Sequence, residues 1–129
     1  MAIEARGQIE GIQDEVIRQS IPVICDYLQN ILGQKLVAYL SGLKDQKMVG
    51  RWIQEKARPS DDRAVRLRYA YLVTRLLEQA YGSETTKSWF LGMNSYLGDE
   101  APASVLRRAT TIDEARPVYV AARIFLGMA

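Results

Sequence analysis

Hydrophobic residues recur along this chain at helical spacing, and no segment shows the alternation typical of a half-buried strand. The first apolar stripe consists of Ile9, Ile12, Val16 and Ile17. Ser20 followed by Pro22 predicts the capped start of a second helix, which Gly33 ends. The pattern predicts an all-α protein.

Two shorter helices are predicted next along the chain. One covers residues 36–40 and stops at Ser41-Gly42, and the other covers residues 48–57 and stops before Pro59. Two short helices joined by a connection that contains a glycine are typical of a helix-turn-helix. A helical corner without any nucleic-acid role is the alternative, because short motif matches carry false positives.

The helix-turn-helix interpretation depends on four side chains. Ala38 is small enough for a close helix crossing, Gly42 supplies the turn, and Val49 and Trp52 are expected to anchor the second helix on the core. The turn is about one residue longer than in the most regular motifs, which weakens the case for sequence-specific DNA reading.

The longest predicted helix begins at a cap formed by Ser60 or Asp61 and reaches Tyr81-Gly82. Its apolar residues cover a face too wide for a solvent-exposed helix, so we expect it at the centre of the fold. Arg63, Arg66 and Arg68 on this helix are read as a solvated face.

The last part of the chain contains the segment SWFLGMNSYLGDEAPASVL, residues 88–106. A helix from Ser83-Glu84 is expected to end at Gly92, and Pro102 is expected to start another. A final helix reaches Phe125-Leu126; it begins either at Ile112-Asp113 with a kink at Pro117, or near Arg116 with that proline in its first turn.

The connection between these helices has features of a fixed loop. Trp89 and Phe90 are expected in the core, Gly92 and Gly98 at positive φ, and the side chain of Asn94 as a cap. The loop would then present Met93, Tyr96 and the acids Asp99 and Glu100 to a partner.

The composition argues against catalysis. The 129 residues include no histidine, and the single Cys25 lies in an apolar run where a buried structural thiol is expected. We therefore predict no enzyme activity, no catalytic or metal-ligating residues and no cofactor. The N-terminus has no signal-peptide pattern and no apolar run is long enough to span a membrane, so the expected location is cytoplasmic.

Positive charge is concentrated in the middle of the chain. Residues 44–75 contain nine Lys or Arg against four Asp or Glu, a balance of +5, whereas the whole chain has a net charge of +2. Phosphate contacts require such a local excess. The candidate DNA-binding residues are Lys44, Gln46, Lys47, Arg51, Lys56 and Arg58.

The order of these features resembles the Xre/MbcA/ParS-like antitoxin family. The resemblance covers roughly residues 35–126 and is carried by the helix-turn-helix, the long helix, and then Trp89, Asn94, Leu97-Gly98 and Pro102. Met93 and Ser95 stand where that family often has proline. The resemblance implies an Xre-like helix-turn-helix region with the long connecting helix (35–82) and a small helical toxin-binding domain (83–129). Residues 1–34 have no counterpart in that pattern and are expected to be an added N-terminal helical segment.

The resemblance also implies a function. Such a chain would be the antitoxin of a type II toxin–antitoxin pair: it would bind and block the active site of a RES-domain toxin that degrades NAD⁺, and repress its own operon. The implied partners are the toxin and operator DNA, in a homodimer or a larger complex with the toxin. The toxin-binding candidates are Trp89, Met93, Asn94, Tyr96, Asp99, Glu100, Arg116, Arg123 and Phe125.

For the C-terminal part of that surface, the segment VYVAARIFLGMA has exposed-looking apolar residues at its end, which would fill a pocket while an arginine pairs with acidic groups. Two other readings stay open. One is a stand-alone helix-turn-helix regulator, and the other is an interaction module whose basic region meets an acidic protein.

Overall fold

Six α-helices and one 3-10 turn make up the part of the chain that the computed structural model describes, residues 18–128. The helices are α1 (Ile21–Leu32), α2 (Gln34–Ser41), α3 (Lys47–Ile53), α4 (Asp61–Leu91), α5 (Pro102–Arg108) and α6 (Ile112–Phe125), with the 3-10 turn η1 at Ser95–Leu97. Within this range the β pairing is a single isolated bridge. The predicted all-α class is therefore confirmed, while the predicted helix of residues 9–17 lies outside the described residues.

Local signals fix the first helices where the sequence predicts them. The Ser20 side chain accepts a hydrogen bond from the Val23 amide at 3.5 Å, and Pro22 lies in the first turn of α1. Gly33 ends α1 with a φ of +86°, and Gly42 ends α2 in the left-handed conformation. α3 stops at Ile53, several residues earlier than expected.

The long helix α4 is the centre of the fold. It contacts α1, α2, α5 and α6, and α3 packs mainly on α1. The buried side chains form one hydrophobic cluster with contributions from every helix, so residues of all three predicted segments share a core. The division of the chain into those segments stays a prediction.

Gly82 interrupts α4 with non-helical angles, φ +83° and ψ 175°. The sequence predicts two helices here, one that ends at Tyr81-Gly82 and one that starts at Ser83-Glu84. In the structure they are joined through Gly82 as one interrupted helix. The Thr86 hydroxyl donates to the Gly82 carbonyl oxygen at 2.8 Å, which satisfies an acceptor at the interruption.

The last helix begins at Ile112, so the alternative start near Arg116 is wrong. The reason is a strong cap: the Thr111 hydroxyl accepts from the Glu114 amide at 3.2 Å. Pro117 lies inside the helix, where it removes only the hydrogen bond to the carbonyl of Asp113, an exposed residue that water can reach.

Cys25 is buried in α1, as predicted. Burial raises the pKa of its thiol to about 12, so the thiol stays protonated and unreactive at neutral pH. Among residues 18–128, no helix has the length and apolarity needed to cross a bilayer.

Candidate functional site

The loop between α4 and α5 is closed by hydrogen bonds centred on Asn94. Its side-chain oxygen accepts from the Tyr96 amide at 3.0 Å, as expected for a cap. Its backbone carbonyl accepts from the Asp99 amide at 2.9 Å, and its own amide donates to the Glu100 carbonyl at 3.1 Å. Leu97 is buried beneath the loop and anchors it to the core. Backbone bonds and one apolar anchor therefore define its shape.

The same loop exposes large apolar side chains. Met93 is 84% exposed and Tyr96 is 66% exposed, which makes them prominent among the apolar residues of the described surface. Gly98 has the predicted positive φ, but Gly92 does not: its φ is −86°. Gly92 lies in extended backbone that any residue can adopt, and a Cβ there would meet the Ser88 carbonyl oxygen at 3.3 Å.

Phe125 at the end of α6 joins this region through an aromatic cluster. Its ring lies 5.1 Å from that of Tyr81 and 6.4 Å from that of Trp89. Trp89 is half-buried and stacks edge-on against the fully buried Phe90, so it belongs partly to the core and partly to the surface. Tyr81 is not among the site residues predicted from the sequence, because its contact with Phe125 joins positions far apart in the chain.

The charged residues among the predicted toxin-binding candidates differ in their contacts. Glu100 forms an ion pair with Arg108, and Arg116 lies 3.5 Å from Asp113 on the exposed side of α6. Arg123 is half-buried: its guanidinium lies 5.8 Å from the Tyr119 ring centre, and its Nε atom has no hydrogen-bond partner among the described residues.

The expectation of exposed apolar residues at the C-terminus is wrong for two of them. Leu126 and Met128 pack against the core as half-buried residues, whereas Phe125 is 43% exposed. The chain turns back after α6, since the Met128 amide donates to the Arg123 carbonyl at 2.8 Å. The exposed large apolar side chains of this segment are therefore Val120, which is 46% exposed, and Phe125 of the aromatic cluster.

The region that was predicted to be a helix-turn-helix has the expected core contacts, and arginine side chains from other helices also hold it. Ala38, Val49 and Trp52 are all buried, which confirms their predicted packing role. The connection between α2 and α3 runs over residues 42–46.

Arginine side chains hold the first part of that connection, where α2 ends. Arg66 donates to the Ser41 carbonyl at 3.0 Å and to the Ala109 carbonyl at 2.7 Å, and Arg107 donates to the Leu43 carbonyl at 3.2 Å. Cations are favourable at the carbonyl end of a helix.

The prediction of a solvated face formed by Arg63, Arg66 and Arg68 is therefore wrong. Arg66 is buried, and burial lowers the pKa of its guanidinium while the Asp62 carboxylate opposes that shift. Arg63 reaches the Gly42 carbonyl at 3.4 Å, and Arg68 donates to the Gln19 carbonyl at 2.9 Å. Their role is to join elements, which the charge pattern alone cannot distinguish from solvation.

The candidate DNA-binding side chains are all exposed and lie on α3 or its flanks. Helical spacing puts Lys47 and Arg51 on one face of α3, opposite the buried Val49 and Trp52. Lys44 and Gln46 precede the helix, and Lys56 and Arg58 follow it. The Asp45 carboxylate accepts from the Lys47 amide at 2.9 Å and so caps the helix start.

No group of three or more His, Cys, Asp or Glu side chains within residues 18–128 is arranged to hold a metal ion. Comparisons with protein-family models, with curated proteins and with solved structures found no match to this chain. The site must therefore be interpreted from its own residues.

Proposed function

We propose that this protein is the antitoxin of a type II toxin–antitoxin pair and blocks a RES-type toxin that degrades NAD⁺. The proposal rests on the sequence resemblance, and one observation supports it: the loop of residues 92–101 is closed by its own hydrogen bonds yet exposes Met93 and Tyr96. A preorganised loop with exposed apolar side chains loses little entropy on binding a protein partner. Trp89, half-buried just before the loop, and the exposed Phe125, whose ring lies 6.4 Å from it, add aromatic surface of the kind that dominates binding energy.

The test begins with the product of the adjacent gene. That product is co-expressed with this chain, the complex is purified, and cellular NAD⁺ is measured with and without the chain. We expect co-purification and a restored NAD⁺ level. Failure of the two proteins to bind, or unchanged NAD⁺ depletion, would refute the antitoxin function.

Substitutions in the loop make the test specific. Met93→Ser with Tyr96→Ser should weaken binding at least tenfold, which corresponds to about 1.4 kcal/mol. The control is Val23→Ser with Ile112→Ser, which removes two other exposed apolar side chains, 47% and 52% exposed, from α1 and α6. Equal weakening by both pairs would show that the loop is not the binding surface.

A second candidate function is DNA binding, as autorepression or as a stand-alone regulator. It is favoured by the exposed basic face of α3, on which Lys47 and Arg51 have no side-chain partner among the described residues. Binding to the chain's own promoter fragment should fall steeply with salt, and Lys47→Ala should reduce the log–log salt slope by about 1. A salt-independent affinity, or a slope unchanged by that substitution, would argue against phosphate contact.

A further inference from the structure

An apolar groove lies where the helix-turn-helix region meets the C-terminal helices. It has a volume of about 680 Å³ and is lined by the end of α1, by α2, by the end of α4 and by the start of α5. Leu36, Leu91 and Ala103 contribute apolar surface, and the ring of Tyr39 contributes one side. Leu91 is 56% exposed although it belongs to a helix whose other large apolar residues are mostly buried.

The wall formed by Tyr39 is held in place before anything binds. The Tyr39 hydroxyl and the Ser104 hydroxyl are 3.0 Å apart and share a hydrogen bond, and the Arg107 guanidinium lies 4.7 Å from the ring centre. A side chain fixed at both its tip and its face loses little rotamer freedom when it is covered. The groove therefore exists as a preformed site.

The charges around the groove have one sign. Lys35 and Lys87 lie among its lining residues, and no carboxylate does so within the described part of the chain. Neither lysine has an ion-pair partner within that part. On the other side of Tyr39, a second depression adds Lys44 and Arg107, and its one carboxylate already caps α3.

We propose that this groove binds an amphipathic segment of a partner protein, in which one or two large apolar side chains are flanked by Asp or Glu. The apolar lining calls for an apolar side chain, which a nucleic-acid backbone lacks, and the two lysines favour carboxylates next to it. This inference rests on the proposed function, because the partner protein is the toxin. It adds a second area of contact with the toxin, beside the loop of residues 92–101.

The charge requirement is tested by reversal. Lys35→Glu with Lys87→Glu should weaken binding of the purified adjacent-gene product at least tenfold at low salt. The control Gln54→Glu with Gln79→Glu adds two negative charges at exposed positions away from the groove. Its binding should stay within about threefold, since only screened long-range attraction is lost. Unchanged thermal unfolding midpoints establish that both variants are folded.

A photo-crosslinker in place of Leu91 identifies the occupant in the same complex. We expect the crosslink on a toxin segment that contains a large apolar residue with Asp or Glu within four positions. A crosslink to residues 1–17 of this chain, or to a second copy of it, would overturn the inference, as would an affinity unaffected by the lysine reversal.

These outcomes separate the two proposals. If the unaltered chain does not bind the adjacent-gene product, the proposed function fails and this inference fails with it. If the unaltered chain binds and the lysine reversal leaves its affinity unchanged, the groove inference alone fails.

Discussion

Among the described glycines, Gly42 has the most tightly constrained position. Its φ of +94° lies in the left-handed region, and a Cβ atom added there would be 2.5 Å from the Nη1 atom of Arg66. Glycine is therefore required twice, once by the backbone and once by the arginine that binds the end of α2. The sequence predicts the first requirement but not the second.

Replacement of Gly42 by alanine should reduce the free energy of unfolding by about 3 kcal/mol, because backbone strain of about 1–2 kcal/mol is combined with displacement of a buried hydrogen-bonded arginine. Gly98→Ala is the matched control, since its φ is +65° and a Cβ there meets nothing within 4 Å. It should cost only about 1 kcal/mol. Urea unfolding of both variants measures their free energies of unfolding. Equal losses for the two variants would show that the contact between the added Cβ atom and Arg66 has no energetic effect.

At the scale of the helices, the turn that follows α3 contains a residue that is poorly suited to its conformation. Glu55 has a φ of +60°, its amide donates to the Trp52 carbonyl, and the next amide donates to the Arg51 carbonyl at 2.9 Å. This is the Schellman pattern, in which glycine is the preferred residue at the Glu55 position. The early end of α3, which the sequence did not predict, comes from this turn.

Glu55→Gly should therefore stabilise the protein by about 0.5–1 kcal/mol, because it removes the left-handed strain of a residue with a Cβ atom. The neighbouring change Gln54→Gly is the control: Gln54 has a φ of −82°, so glycine gains nothing there and should destabilise by about 0.5–1 kcal/mol. Thermal unfolding of both variants tests the sign, and stabilisation by Gln54→Gly or destabilisation by Glu55→Gly would contradict it.

The start of α6 gives a pH dependence. The Glu114 carboxylate accepts from the Thr110 hydroxyl at 2.8 Å and from the Thr111 hydroxyl at 3.2 Å, and these hydrogen bonds hold the pKa of Glu114 below its ordinary value of 4.5. A lowered pKa in the folded state means that the ionised form stabilises the fold. The contribution is present above pH 4.5 and is lost as the pH falls through the lowered pKa.

Glu114→Gln should destabilise the protein at pH 7, and the difference from the unaltered chain should shrink below pH 4.5. Chemical unfolding between pH 7 and pH 3 measures this difference. Glu84→Gln removes the same charge from another exposed position on a helix and controls for net charge. A difference that stays constant over this range would show that the hydrogen bonds do not depend on ionisation.

In the molecule as a whole, Arg66 connects distant parts of the chain. It reaches from α4 to the end of α2 at Ser41 and to the end of α5 at Ala109. The predicted helix-turn-helix region and the C-terminal helices are therefore joined by one buried side chain as well as by the core.

Arg66→Met should cost about 2–6 kcal/mol, because two carbonyl groups lose their donor and each unsatisfied buried group costs about 1–3 kcal/mol. Arg51→Met, on the exposed face of α3, is the control and should change stability by less than about 0.5 kcal/mol. The free energy of unfolding in urea is the measurement. A small loss for Arg66→Met would mean that water replaces the guanidinium.

Much of the fold can be predicted from local sequence. The helix class, the cap at Ser20, the ends at Gly33 and Gly42, and the loop cap at Asn94 all depend on contacts within a few residues, and the structure confirms each of them. Exposure of the basic residues on α3 also follows from helical spacing, because Val49 and Trp52 bury the opposite face.

The candidate binding surfaces depended on tertiary packing. Tyr81 meets Phe125 across more than forty residues, Arg66 meets Ala109 across a similar separation, and the groove at Tyr39 needs four helices in place. No local pattern encodes such contacts, because a charged or aromatic residue has the same sequence neighbours whether the fold buries it or leaves it in solvent. The sequence thus specified the helical class and the caps and helix ends named above, because these depend on neighbouring residues. The packing around α4 decided which arginines are buried and where an apolar groove opens.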